Sequence, residues 1–299
     1  MNSVYIPKKL IQIAQKYALG TYVINPAFTN NQALEQWIKN IDFEQFETDN
    51  HRLQFHSRKR NNLFSFYLPC VDKEVILKVS QISAHYSWHR KLNLYLVSLI
   101  KNYSLNAYYG GVAFENIDIN SLKVIAHWTC KRQNESKKSY LLYEKVAASM
   151  SVFELCNQLS EHNQHARPII ESISKSLASV IRNIHSNNMR HGDPHTGNFL
   201  LNTKIPDVHQ LTIEDVAQLK FTLIDLDKVQ FVRNEGTWRK KIFDIRCMRR
   251  FNVHNIDCID SLEHYLNRRP KLAEKIILKF WMRGGFNLYK WIKKNNKRN

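Results

Sequence analysis

The chain has 299 residues, 43% hydrophobic and 23% charged, which is enough apolar content for one two-lobed domain or two small ones and too much for a disordered chain. Its 44 basic residues against 26 acidic give a net charge of +18, so its surface attracts polyanions: nucleic acid, anionic lipid headgroups or phosphorylated glycans. The five cysteines, at positions 70, 130, 156, 247 and 258, form no C-x-x-C pair, and no stretch approaches the roughly 18 uncharged apolar residues of a membrane span. With no basic and apolar secretory leader at the N-terminus, the expectation is a soluble protein on the cytoplasmic side.

In chain order, Leu10, Ile11, Ala14 and Ala18 recur near a 3.6-residue period behind Pro7, which predicts a helix over 7–18; a second is predicted over 31–40. Asp42, Glu44, Glu47 and Asp49 then form a solvated connection, so residues 1–50 read as a helical extension. Extended runs follow at 51–56, 63–68 and 74–80. The turn between the first two, 57–62, holds Arg58, Lys59 and Arg60 but no glycine.

The run Val75-Ile76-Leu77-Lys78-Val79 places a lysine inside an apolar strand. Period-2 alternation puts Ile76, Lys78 and Ser80 on one face. An ammonium buried there needs an anionic partner, because an unpaired buried charge is costly. A helix is predicted over 84–101, then a turn at Gly110-Gly111, then strands over 124–128 and 140–146. Ser151 and Glu154 have capping-box spacing at the head of a helix. Pro168 opens another, whose Ile169, Ile173, Leu177, Val180, Ile181 and Ile184 make an apolar stripe, and Asn187-Asn188 stops it.

That helix delivers His191-Gly192-Asp193-Pro194-His195-Thr196-Gly197-Asn198. Further on, beyond an inserted loop at 204–219, Phe221-Thr222-Leu223-Ile224 delivers Asp225, with Asp227 two residues later. Phosphoryl transfer of the protein-kinase kind needs a carboxylate to receive the acceptor's proton, then an amide oxygen and a second carboxylate to hold Mg²⁺ against the ATP phosphates. Asp193, Asn198 and Asp225 supply these groups in that order, and the five-position step from Asp193 to Asn198 equals that of the H-R-D-L-x-x-x-N catalytic loop. After Trp238, a basic helix carries Arg239, Lys240, Arg246, Arg249 and Arg250. Asp244 on that helix is placed to accept backbone N–H groups of the catalytic loop. The chain ends in helices and a basic tail, 261–299.

The H-G-D-x-H-x-x-N form followed by I-D-L-D resembles the atypical kinases of small molecules and sugars. With the basic helix after Trp238, it is similar to the lipopolysaccharide kinase family, which acts on Kdo or heptose of the inner core. The resemblance implies an α+β, bilobal protein-kinase-like fold, with an N-lobe over 51–143 and a mainly helical C-lobe over 144–299. It implies Asp193 as catalytic base, Asn198 and Asp225 as Mg²⁺ ligands, and Lys78 together with the hinge residues Glu144 and Val146 as ATP contacts. An anionic glycolipid or sugar is the implied acceptor, at an anionic membrane surface on the cytoplasmic face of the inner membrane, with no specific nucleic acid.

Three departures bear on activity. The phosphate loop lacks glycine, no glutamate lies between Gln81 and Gly110 to pair with Lys78 as the kinase helix glutamate does, and Asp227 replaces the glycine of D-F-G. Asp227 is left either as a second acidic neighbour of the metal or as a partner of Lys228. The alternatives are a small-molecule kinase of the aminoglycoside or choline-kinase type, whose acidic acceptor site sits poorly with a basic chain, and an inactive nucleotide-binding scaffold.

Overall fold

The computed structural model describes residues 15–17, 20–41, 61–80, 88–89, 102–130, 138–148, 150–162, 166–203, 205, 207–232, 244–245 and 258–280. The chain forms two compact units, Met1–Ala147 with Leu223–Phe231, and Ala148–Thr222 with Val232–Asn299. The predicted strand 51–56, the turn 57–60, nearly all of the helix 84–101, the basic residues of the helix after Trp238, and the tail 281–299 lie outside the described residues.

In the first unit the strands are β1 (Gln15–Tyr17), β2 (Gly20–Ile24), β3 (Asn61–Leu68), β4 (Lys73–Ser80), β5 (Val124–Cys130) and β6 (Lys138–Glu144). They form one antiparallel sheet in the order β1-β2-β5-β6-β4-β3. Helix α1 (Gln32–Asn40) is opened by Asn31, whose side chain accepts the N–H of Leu34. Its buried Leu34 and Ile38 join Val75, Leu77, Val79, Trp128 and Tyr140 in one apolar cluster. Trp128 stacks on Tyr140 and meets Trp37 edge-on, the offset and T-shaped geometries aromatic quadrupoles favour. Val75, Leu77 and Val79 therefore face this core, and Lys78 faces away from it, as the alternation requires.

On the Lys78 side lies α2 (Tyr103–Glu115), whose Ser104 hydroxyl is 3.4 Å from that of Ser80. It is apolar around its whole circumference, with nine buried residues, the pattern of a helix enclosed on all sides. With cover on both faces, every residue of β5 is buried.

Two expectations are corrected. Where a helix was predicted over 7–18, Gln15–Tyr17 is a strand, and residues 20–24 pair with Ala126–Cys130 of β5; the N-terminal segment adds two strands to the sheet as well as one helix. Gly110 and Gly111 do not start a turn but lie inside α2. A Cβ on Gly111 would stand 2.7 Å from a Val124 methyl, and one on Gly110 3.0 Å from three side-chain carbons of Val229. The glycines let the helix backbone approach its neighbours, which outweighs the roughly 1 kcal/mol that glycine costs inside a helix.

In the second unit, β7 (Met150–Ser151) leads into α3 (Val152–His162). The capping box is present: Ser151 Oγ accepts the Glu154 N–H, and the Glu154 carboxylate accepts the Ser151 N–H at 2.7 Å. Next comes α4 (Ala166–Ser186), with Ile169, Ile173, Leu177, Ile181 and Ile184 buried, and the short strand β8 (Met189–Arg190). Asn188 takes φ +56° between them, the left-handed stop Asn tolerates best after glycine. Strand β9 (Phe199–Leu201) pairs with β7. The insertion holds α5 (Ile213–Val216), capped by Thr212 and Asp215. Strand β10 (Phe221–Leu223) leads back to the first unit, and α6 (Cys258–Leu266) and α7 (Leu272–Phe280) are further helices of the second. Among the described residues, no helix is long and apolar enough to cross a membrane.

Candidate active site

Of the six residues singled out from the sequence, Lys78, Glu144, Val146 and Asp225 belong to the first unit and Asp193 and Asn198 to the second. Lys78 sits mid-strand between Leu63 and Leu141 of the flanking strands and is 8% exposed. Its Nζ lies 2.6 Å from Asp227 Oδ2 and 3.7 Å from Asp225 Oδ1. The anionic partner that burial demands is thus supplied chiefly by Asp227. Among the described residues Asp227 Oδ1 is buried with no hydrogen-bond partner.

Several contacts set this arrangement. Leu223 donates its N–H to the Asn120 carbonyl at 3.0 Å and accepts the Leu122 N–H at 3.1 Å, which fixes the approach to Asp225. Asp225 then turns the chain with φ +57° and ψ +56°. A non-glycine residue held there costs of the order of 1–3 kcal/mol and persists where its surroundings over-determine it. The anchors are Leu226 and Val229, each 1% exposed, at either end of a tight turn, with Val229 against Gly110 of α2. Burial, with the neighbouring Asp225 charge, pushes the Asp227 carboxyl above its ordinary range against the pull of Lys78. Burial likewise raises the Tyr143 hydroxyl, and both carboxylates add to the effect.

At the end of β6, the Glu144 N–H donates to the Lys123 carbonyl and its carboxylate holds Lys73 Nζ at 2.7 Å. Lys145 is pinned to Glu74 through both its N–H and its ammonium group. Val146 follows, half-buried.

In the second unit, the loop from His191 to Asn198 is organised around buried hydrogen bonds. His191 is fully buried, and its Nδ1 accepts the Asp193 N–H at 3.2 Å, a packing and bracing role. The Asp193 carbonyl accepts both the His195 N–H at 2.8 Å and the Asn198 Nδ2 at 2.9 Å. With its nitrogen engaged as a donor, the Asn198 carboxamide has Oδ1 as its acceptor atom, the kind of oxygen a divalent cation takes. The Asp225 carboxylate, 42% exposed, is the same kind of hard oxygen donor. Each, within its own unit, is the kind of oxygen donor that Mg²⁺ accepts alongside substrate phosphates.

Asp244 is entirely buried and accepts the N–H groups of His191 and Gly192, each at 3.1 Å, as expected from its sequence position. It also meets His185 Nε2 at 3.0 Å and an Arg190 nitrogen at 3.4 Å. Burial alone would raise its pKa, but the His185 hydrogen bond and the charges of His185, Arg190 and His191 outweigh it and hold the carboxyl below its ordinary value. Gly192 has φ +82°, which explains why glycine stands where protein kinases have arginine. His185 and Tyr265, whose hydroxyl lies 2.7 Å from His185 Nδ1, escaped the sequence reading. A histidine on the apolar stripe of α4 was a signal for the first; nothing marked the second.

The sequence profile described as Lipopolysaccharide kinase (Kdo/WaaP) family matches residues 112–267, which takes in Asp193, Asn198, Asp225, Asp227 and Asp244. The chain belongs to the lipopolysaccharide kinase family. No curated protein matches its sequence. Among solved structures its fold is similar to "WaaP in complex with acyl carrier protein", with 15% identity, a TM-score of 0.53, and 93% of this chain and 98% of that chain covered. This lipopolysaccharide-family kinase therefore has a mixed α and β kinase fold, and its loop from His191 to Asn198 is braced by a buried carboxylate, Asp244.

Proposed function

We propose that this kinase transfers the terminal phosphoryl group of ATP to a hydroxyl of Kdo or heptose in the lipopolysaccharide inner core, at the cytoplasmic face of the inner membrane. The observation that carries this reading is the Asn198 Nδ2 bond to the Asp193 carbonyl at 2.9 Å, which ties the base and the cation ligand into one rigid turn within a family-matched segment. Asp193 orients the acceptor hydroxyl and receives its proton. Asn198 and Asp225 hold Mg²⁺, which when bound neutralises charge on the donor phosphates. Lys78 lies ready to add its own positive charge there, and the backbone around Glu144 and Val146 receives the adenine. The net charge of +18 favours an acceptor bearing phosphates and carboxylates and an anionic membrane beneath it, and disfavours the cationic acceptors of aminoglycoside kinases.

Incubation with Mg-ATP and dephosphorylated core oligosaccharide, followed by mass-spectrometric mapping, tests the proposal. Phosphate on a Kdo or heptose hydroxyl, lost in Asp193→Ala, is the expected result. No incorporation, or incorporation undiminished in Asp193→Ala, refutes it.

A further inference from the structure

Lys78 needs a fixed counter-charge to be of use to a nucleotide, and this chain does not supply it in the usual way. From Val75 through Phe114 there is no aspartate or glutamate. The whole stretch from the lysine strand to Phe114 therefore has no carboxylate to offer, whatever its conformation, and Glu115, the last residue of α2, is exposed. Of the acids on nearby described strands, Glu74 is occupied by Lys145 and Glu144 by Lys73. Asp227 Oδ2, by contrast, lies 2.6 Å from Lys78 Nζ, within charge-assisted hydrogen-bond distance, while Asp225 is more distant at 3.7 Å.

We propose that Asp227 is the positioning carboxylate of Lys78, standing in for the helix glutamate that this chain lacks; the assignment rests on the phosphotransfer reading above. The local build explains how the substitution works. Leu226 and Val229 plug the turn into the apolar surface beside α2, where Gly110 admits Val229. Asp227, the first of the two residues between them, is thereby held with its carboxylate on Lys78 of β4. The counter-ion of Lys78 is thus two residues from Asp225, on the same turn. In a protein kinase the lysine–glutamate pair and the D-F-G aspartate are set by separate elements, and both must be in place. Here one turn, seated by two buried side chains, sets both, and no acidic helix residue has to swing in to complete the pair.

Because Asp227 acts through Lys78, its removal should matter only while Lys78 is present. The test is a double-mutant cycle on the full chain with Lys78→Met, Asp227→Asn and the combination, reading Mg-ATP affinity by calorimetry and, separately, kcat and KM for ATP. Asp227→Asn is expected to weaken ATP use by about 10- to 100-fold, the scale of a misplaced catalytic contact, and the combined variant to be no worse than Lys78→Met. Asp227→Glu, which keeps the charge, should retain most of the wild-type affinity. Urea unfolding of the same four proteins without nucleotide should show coupling between the two sites.

Losses that multiply in the combined variant, a Glu variant as impaired as the Asn one, or a Mg²⁺ requirement raised equally by Asp227→Asn with and without Lys78 would each overturn the assignment while leaving the phosphotransfer reading standing. A wild-type protein that fails to bind Mg-ATP would overturn both.

Discussion

Asp244 holds Gly192 by its backbone N–H at 3.1 Å, although the two residues are far apart in the sequence. The bond requires Gly192 to present that N–H, which it does at φ +82°. A side chain there meets the left-handed penalty of about 1–2 kcal/mol. Gly192→Ala should therefore lower unfolding free energy by roughly that amount in urea titrations, and reduce kcat more than it raises KM for ATP, because the displaced residue, Asp193, is the proposed base for the acceptor.

Removing the carboxylate itself has a larger effect. Asp244→Ala leaves two backbone N–H groups and the Arg190 charge without their buried acceptor. Loss of one partner from a buried ionic network costs about 3–5 kcal/mol. Denaturant unfolding should show a fall of that order, and Asp244→Asn, which retains one acceptor oxygen, a smaller one.

The same residue gives the protein a pH dependence of definite sign. The folded state holds the Asp244 carboxyl below its ordinary value, so between the two values the unfolded chain binds the extra proton and stability rises with pH. Its contribution is complete above the unfolded value and fades as pH falls through the folded one. The stability gap between wild type and Asp244→Asn should accordingly shrink as pH falls below about pH 4, as read by urea unfolding at each pH.

Asp193 and Asn198 should separate by which ligand they affect. Asp193→Asn is expected to lower kcat about 10²- to 10⁴-fold, the usual worth of a positioned base, with ATP affinity largely kept. Asn198→Ala should raise the Mg²⁺ concentration needed for half-maximal rate. Steady-state kinetics over a Mg²⁺ titration distinguishes the two.

Much of this site could be read in advance because it is written in local patterns. The five-position step from Asp193 to Asn198, the lysine within an apolar strand, and the Ser151–Glu154 cap each involve residues close in sequence, so spacing alone carries the geometry. Asp244 was found because its helix follows the loop it braces. What escaped detection depends on distant partners. Nothing in residues 15–24 announces that Thr21 will lie opposite Thr129, since sheet pairing across such a separation leaves no local period. Gly110 and Gly111 read as a turn until Val124 and Val229 are placed beside them. Asp227 had two candidate partners in sequence terms, and only the packing of its turn on α2 gave it a third, Lys78.

The strand Gly20–Ile24 lies along β5 as its neighbour in the sheet. A shortened protein beginning at residue 51, where a minimal kinase outline would be cut, strips that cover away. The flank of Val124–Cys130, a strand buried along its whole length, would then offer unsatisfied peptide groups, an invitation to other chains to add themselves as the missing ribbon. Aggregation of such a truncation during expression would accordingly report a bared sheet margin, not a defect in its chemistry.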